Sequence, residues 1–323
     1  MVPAGKYIVA GCSGLVGSHA LKRLSDQSGV HVKGIYNSNP PHVSAGNIDP
    51  VQADLTKGES CREHIRDADY LVLCAGVVNL GGVGSASPVL PAISNFLITS
   101  QCLEAALASG IRKAVWFSST VGYPETEGPI REDRMFEGEP PTSYSAMGWT
   151  FRCLERLSES MVEEGGGNFS CLVLRPSLIY GEHDHFSGDK AHFLPAFIRR
   201  VVEREFPLEV WGGGTEERDV VHASDVIKAA LLALENKTGF DAYNVAYGQS
   251  YSVNHVLESI LRIEGLSDVD INRLPGKNPG LKKRQFCIDK AASELGYSPS
   301  VDLEEGLRRT MQWYRTNHKN QFV

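Results

Sequence analysis

No stretch of this 323-residue chain is apolar for the roughly 18 residues that a bilayer crossing takes, and no long hydrophobic core opens it. Neither a membrane-spanning nor a secreted protein is expected. Cysteine is sparse and scattered, seven residues at 12, 61, 74, 102, 153, 171 and 287, with no Cys-x-x-Cys pair. An odd, dispersed set excludes a disulfide framework and a zinc cluster, and reads as reduced thiols of a cytoplasmic protein. His183 and His185 stand at a metal-like spacing, but no further ligand accompanies them, so no metal is expected. Positive charge is in short supply, 32 Lys and Arg against 39 Asp and Glu. The net charge of −7 speaks against nucleic acid or an anionic membrane as partner; an anionic ligand would need a local basic patch. Internal repeats and low-complexity tracts are absent too.

What is present suits a soluble α/β protein of one large domain, or of a domain and a smaller lobe. Tyr7 to Ala10 is a short β-prone run, and Gly11, Gly14 and Gly17 follow at three-residue spacing. Leu15, Val16, Ala20, Leu21 and Leu24 then recur at helical spacing. Strand, tight loop and helix in that order aim free N–H groups at a phosphate. The spacing is Gly-x-x-Gly-x-x-Gly, not the Gly-x-Gly-x-x-Gly of the general dinucleotide fingerprint. Its three glycines serve a tight turn, backbone approach to the pyrophosphate, and close packing of helix on strand.

Further along, His31–Tyr36 reads as a second strand that ends in Asn37-Ser-Asn-Pro-Pro41. That end has neither the acid that would hold ribose hydroxyls nor an arginine for a 2′-phosphate, so NAD and NADP both stay open. Strands are expected at Val51–Leu55, Tyr70–Gly76, Ala114–Ser118 and Leu172–Pro176, and helices at about Glu59–Ile65, Asn95–Ser109 and Ser143–Glu164. The apolar runs without alternation suit buried parallel strands. The expected architecture is a Rossmann-type, doubly wound parallel sheet over residues 1–176, with a segment of about 220–248 returning to it. A smaller, mainly substrate-binding lobe is expected over 177–323.

Ser118-Ser119-Thr120 at a strand end, with Tyr144 at a helix start about 25 residues later, brings these features together. The glycine loop, Asp54, Cys74-Ala-Gly76, Asn95-x-x-x-Thr99, Ser118-Ser-Thr120, Tyr144 and Arg175-Pro-x-x-x-Tyr180-Gly181 follow one family's order and spacing. The chain resembles the extended short-chain dehydrogenase/reductases of the NAD-dependent epimerase/dehydratase group. Its C-terminal half is most similar to the GDP-L-fucose synthases of that group. Tyr180–Phe186, His192–Arg200 and Val210–His222 carry that likeness, and Leu80-Gly-Gly-Val83 is similar to their substrate loop. The resemblance implies a coenzyme, NAD or NADP, against Gly11, Ser13, Gly14, Leu15, Val16, Gly17, Asp54, Leu55, Cys74, Ala75, Gly76, Tyr144 and Pro176. It implies Ser119, Thr120, Tyr144 and His192 as catalytic groups, and Asn79, Gly82, Arg200, Trp211, Arg218 and Arg284 against a nucleotide-diphosphate sugar. Chemistry at the sugar C4 carbonyl or alcohol, with or without epimerisation beside it, and a homodimer formed by the helices from Asn95 and Ser143 complete that expectation.

Two positions depart from the family pattern. Tyr-x-x-x-Lys is replaced by Tyr144-Ser-Ala-Met-Gly148, and the epimerisation cysteine after the two serines is Thr120. The lysine would act on the tyrosine by its charge, and glycine does not. Arg152, one turn on, is a candidate stand-in, and Cys74 and Cys153 are candidate bases. A second reading therefore stands beside the enzyme: a cofactor-binding sensor or partner subunit without turnover.

Overall fold

The computed structural model of the chain describes residues 2–77, 89–186, 191–275 and 281–318. Asn79 and Gly82 lie outside these. In chain order the first half comprises β1 (Gly5–Ala10), α1 (Leu15–Ser25), β2 (Val30–Tyr36), β3 (Ile48–Gln52), α2 (Gly58–His64), β4 (Tyr70–Leu73), α3 (Val89–Ala108), β5 (Lys113–Phe117), α4 (Ser145–Glu164) and β6 (Ser170–Pro176). The second half comprises β7 (Leu178–Tyr180), α5 (Phe193–Val202), β8 (Leu208–Trp211), β9 (Glu217–His222), α6 (Ala223–Asn236), β10 (Phe240–Val245), β11 (Ser250–Ser252), α7 (Val253–Ile263), β12 (Ile271–Leu274), β13 (Lys283–Arg284), α8 (Asp289–Leu295) and α9 (Leu303–His318).

Residues of β1 alternate between two buried faces, which is why its sequence is apolar without a polar phase. Tyr7 and Val9 join a core with Leu21 and Leu24 of α1 and Ile227 and Leu231 of α6. Ile8 and Ala10 join another with Ile98 and Leu103 of α3 and Leu154 of α4. The sheet between these layers is parallel throughout, in the order β10-β6-β5-β4-β1-β2-β3. Chain direction across the sheet reverses between β1 and β4, and the crevice outside the carboxyl ends there is where such sheets take ligands.

Several boundaries differ from the sequence reading. The strand expected over Val51–Leu55 covers Ile48–Gln52 instead. Asp54 sits in the following turn, where its Oδ1 accepts from the Thr56 N–H at 3.0 Å and the Thr56 hydroxyl at 2.7 Å, and that local turn ends the strand. Helix α3 begins at Val89 rather than Asn95, because Pro91 is tolerated in a first turn. Only Phe240–Val245 of the returning segment adds a strand to the main sheet; α6 packs beneath it and β9 belongs to the lobe. That lobe has its own core, built from Tyr180, Leu194, Ile198, Val210, Val256, Leu307 and their neighbours. Among the described residues no helix is long and apolar enough to cross a membrane.

Candidate active site

At the end of β1 the chain turns through Gly11 at φ 81° and enters α1 with Gly14 as N-cap. A Cβ on Gly11 would stand 2.5 Å from the Ala75 backbone after β4, so the two strand ends meet there as only glycine allows. A Cβ on Gly17 would stand 2.1 Å from the Gly11 carbonyl oxygen, which is the close helix-on-strand contact. Gly14 is exposed, its nearest neighbour for a Cβ being 3.6 Å away, and α1 has no side-chain cap and no acid in its first turn. Open space over uncapped N–H groups fits the diphosphate of a dinucleotide. Ser13, Leu15 and Val16 line this turn half-buried. Across the crevice, Asn95 fixes the chain after Cys74, Ala75 and Gly76, accepting from the Val77 N–H and donating to its carbonyl, both at 2.8 Å. Asp54 is engaged with Thr56, and Leu55 is buried in the sheet's core.

The end of β5 continues into a single turn, Thr120–Gly122, capped by the Ser119 hydroxyl, which accepts from the Val121 N–H. Tyr144 forms the N-cap of α4, whose first turns pack on this segment. From the lobe, β13 lies beside β9 with Arg284 opposite Arg218. The Arg284 guanidinium, 9% exposed, donates to the Thr120 carbonyl and, at 3.4 Å, to that of Pro124. Burial, with Arg218 next, brings it down to about 10, while the Tyr144 phenol works the other way. Burial lowers Arg218 as well, against Tyr144 and Glu216. Ser119, Thr120, Tyr144, Arg218 and Arg284 thus converge at one edge of the sheet.

Position 148 is closed. A Cβ there would lie 2.6 Å from Pro140 Cβ and 2.9 Å from the Val121 carbonyl oxygen, so the loop before α4 occupies the space of any side chain. Arg152 fastens that loop, donating to the carbonyls of Gly122 (2.8 Å), Gly138 (2.8 Å) and Glu137 (3.1 Å). It is therefore a structural pin and not a substitute for the lysine. Of the two candidate cysteines, Cys74 is half-buried after β4 with its thiol raised by burial, and Cys153 is on the exposed face of α4.

The remaining expected residues are less closely joined. His192 is the N-cap of α5 and is lowered by burial. Arg200 donates to the Pro207 carbonyl at 2.9 Å beside Glu205, contacts it does not share with the Tyr144 cluster. Trp211 ends β8 and is exposed, and Pro176 ends β6 buried. What the sequence reading missed lies underneath. Glu155 accepts from Ser118 Oγ at 2.6 Å and from Arg175 at 2.6 and 3.0 Å, and Arg175 donates to Tyr123 Oη at 2.8 Å. This buried network fixes the strand end that carries Ser119. Its signal was present as polar residues at helical spacing on one face of α4, Arg152, Glu155 and Ser158, all buried.

Residues 7–246 match the family model described as the NAD dependent epimerase/dehydratase family. Among curated proteins, the chain is 28% identical to the "Probable GDP-L-fucose synthase 1" of Oryza sativa subsp. japonica, covering 97% of this chain and 93% of that one. It is 26% identical to the GDP-L-colitose synthase of Yersinia pseudotuberculosis, over 98% and 99% of the two chains. Among solved structures, a UDP-glucose 4-epimerase from Thermotoga maritima with UDP-glucose superposes with a TM-score of 0.84 at 23% identity, over 97% and 99%. A UDP-glucuronic acid 4-epimerase from Bacillus cereus, solved with UDP-glucuronic acid and NAD, gives 0.82 at 22%, over 96% and 99%. At these identities the structural likeness speaks for the fold.

Proposed function

This chain belongs to the NAD dependent epimerase/dehydratase family, and from that premise we propose that it is an NAD-dependent oxidoreductase or epimerase acting at C4 of a GDP-linked sugar. The observation that carries the reading is the meeting of Ser119 and Tyr144 with the Arg218–Arg284 pair, at the sheet edge that also bears the open glycine loop. The curated relatives named above, over nearly their full length, support the GDP-sugar class. The coenzyme, when bound, supplies hydride exchange.

In this reading the Tyr144 Oη takes the proton from, or returns it to, the sugar C4 oxygen, while Ser119 Oγ holds the same oxygen by a hydrogen bond. Arg218 and Arg284 grip the diphosphate, for which paired guanidinium groups are suited by charge and planarity. Proton removal beside C4 is given to His192, whose burial favours the neutral imidazole. A second copy of the chain is the proposed partner. Helix α3 exposes Val89, Leu90, Ile93, Phe96 and Leu97 in one stripe, and neighbouring α4 adds Trp149.

The test is incubation of the purified chain with NAD and GDP- or UDP-linked sugars, following nicotinamide absorbance and sugar products. Denaturing the protein and assaying released NAD(H) separates a recycled coenzyme from a consumed one. Turnover of a GDP-sugar is expected. The closed position 148 favours a second reading, a cofactor-binding partner subunit, and NAD binding with no turnover on any sugar would select it.

A further inference from the structure

A hollow of about 310 Å³ lies between α1 and α9, and none of the residues assigned to coenzyme or sugar lines it. That volume is at the lower end of what small-molecule sites occupy. Helix α1 contributes Ser18 and Lys22, four apart on one face, with His19 beside them. The turn after β7 contributes Glu182 and His183, and α9 contributes Arg309 and Trp313. Three polar atoms of these walls, Ser18 Oγ, His19 Nε2 and His183 Nδ1, are buried with no hydrogen-bond partner among the described residues. Ser18 is wholly buried and His19 is 6% exposed. Buried polar groups left unpaired are costly, and a ligand with several acceptor oxygens would satisfy them. His183 takes a left-handed backbone at φ 71°, and its ring packs against His42 and Trp313, with ring centres 5.0 and 4.7 Å away. That turn gives the hollow an aromatic wall.

Charge decides the class of ligand. Glu182 is the one carboxylate among the lining residues, and it is engaged: Arg309 donates to its Oε1 at 3.1 and 3.2 Å, and its Oε2 lies 2.9 Å from His222 Nε2. Lys22 is exposed and pairs with no carboxylate among the described residues. Burial holds His19 and His183 neutral, so the walls carry the positive charges of Lys22 and Arg309 against the single negative one of Glu182. An ammonium, a guanidinium and neutral hydrogen-bonding groups together are what phosphate oxygens take. We propose that this hollow is a second binding site, outside the coenzyme crevice, for a small phosphate anion. Lys22 and Arg309 are its charged contacts, and Ser18, His19 and His183 its neutral ones. A nucleotide would lay its planar base on the Trp313 side, whereas free phosphate would use the polar wall alone.

The experiment is calorimetry on the full chain saturated with NAD, so that the glycine loop is occupied. Inorganic phosphate is titrated in one arm and AMP in the other, and binding is expected in at least one. Lys22→Gln, at an exposed position, should weaken that binding about tenfold or more, while Lys22→Arg stays near the parent. Tighter binding of AMP than of phosphate, with the margin lost in Trp313→Ala, assigns the phosphate to a nucleotide. Phosphate binding as tightly as AMP, or more so, assigns the free anion. No binding in either arm at millimolar concentration, binding seen only when NAD is withheld, or binding that Lys22→Gln leaves unchanged overturns the inference. Absence of turnover on every nucleotide sugar would overturn the proposed function and leave this site standing.

Discussion

Tyr144 and the glycines of the first loop are the residues on which single substitutions speak most plainly. Tyr144→Phe removes one oxygen at the N-cap of α4 and is expected to lower kcat by about 10²- to 10⁴-fold with little change in KM, read by steady-state kinetics. Gly14 and Gly17 separate binding from folding. At Gly14 a methyl finds its nearest neighbour at 3.6 Å, so Gly14→Ala should leave stability within about 0.5 kcal/mol yet weaken NAD binding in calorimetry. At Gly17 the methyl meets the Gly11 carbonyl oxygen, and Gly17→Ala should destabilise by about 1–3 kcal/mol or more in urea unfolding. Both roles were legible from spacing alone. Which glycine is packed and which is open was not, because that depends on where the Gly11 carbonyl lies in space.

Helix α4 shows how an element can be readable in outline and not in purpose. Its length and its start near Tyr144 follow from the sequence, but the meaning of Gly148 and Arg152 comes from the loop of residues 137–141 packed against them. Gly148→Lys is therefore expected not to restore a family-like site but to displace Pro140 and lower stability, visible as a loss in urea midpoint. The same helix carries Glu155 into a wholly buried pair with Arg175. Glu155→Gln leaves the Arg175 charge buried without its counter-ion and is expected to cost about 3–5 kcal/mol in the same unfolding measurement. Arg175 was recognisable as part of a motif, whereas its partner, 20 residues upstream on a different element, could be found only by folding the chain.

Across the whole molecule, Glu182 ties the sheet domain to the lobe. Its Oε2 lies 3.4 Å from His19 Nε2 on α1 and 2.9 Å from His222 Nε2 before α6, and Arg309 of α9 donates to its Oε1 at 3.1 Å. His222 Nδ1 faces Ser224, accepting from its N–H at 3.3 Å, and its Nε2 is the ring nitrogen turned toward Glu182. Burial, with His222 next, brings His19 down to about 3 from 6.5. A histidine held neutral in the fold contributes stability that is whole above its unfolded value and is lost as pH falls from about 6.5 toward 3. Burial raises the Glu182 carboxyl, but hydrogen bonds led by that from His222 outweigh it and leave it far below its ordinary value, so its contribution also fades in acid. Asp219, pushed up to about 6 by burial, runs the opposite way, and comparison with a variant cancels it. His19→Gln should flatten the stability profile over that window by up to about 1.4 kcal/mol per pH unit, measured by urea unfolding at stepped pH. For the proposed homodimer, Ile93→Asp with Leu97→Asp is expected to give a monomer in sedimentation velocity where the parent chain gives a dimer, while leaving NAD binding intact.

Local order along the chain was enough to determine the parallel sheet, the glycine turn over its first strand, and the serine and tyrosine at neighbouring ends. Those features are set by periodicity, by the conformational freedom of glycine, and by motif spacing, all of which act over a few residues. Tertiary structure alone decided that Pro140 closes position 148, that Glu155 backs the strand carrying Ser119, and that Arg284 reaches Thr120 from 164 residues away. These are contacts between segments distant in sequence, fixed by packing and by the need to satisfy buried charge, and no spacing along the chain encodes them.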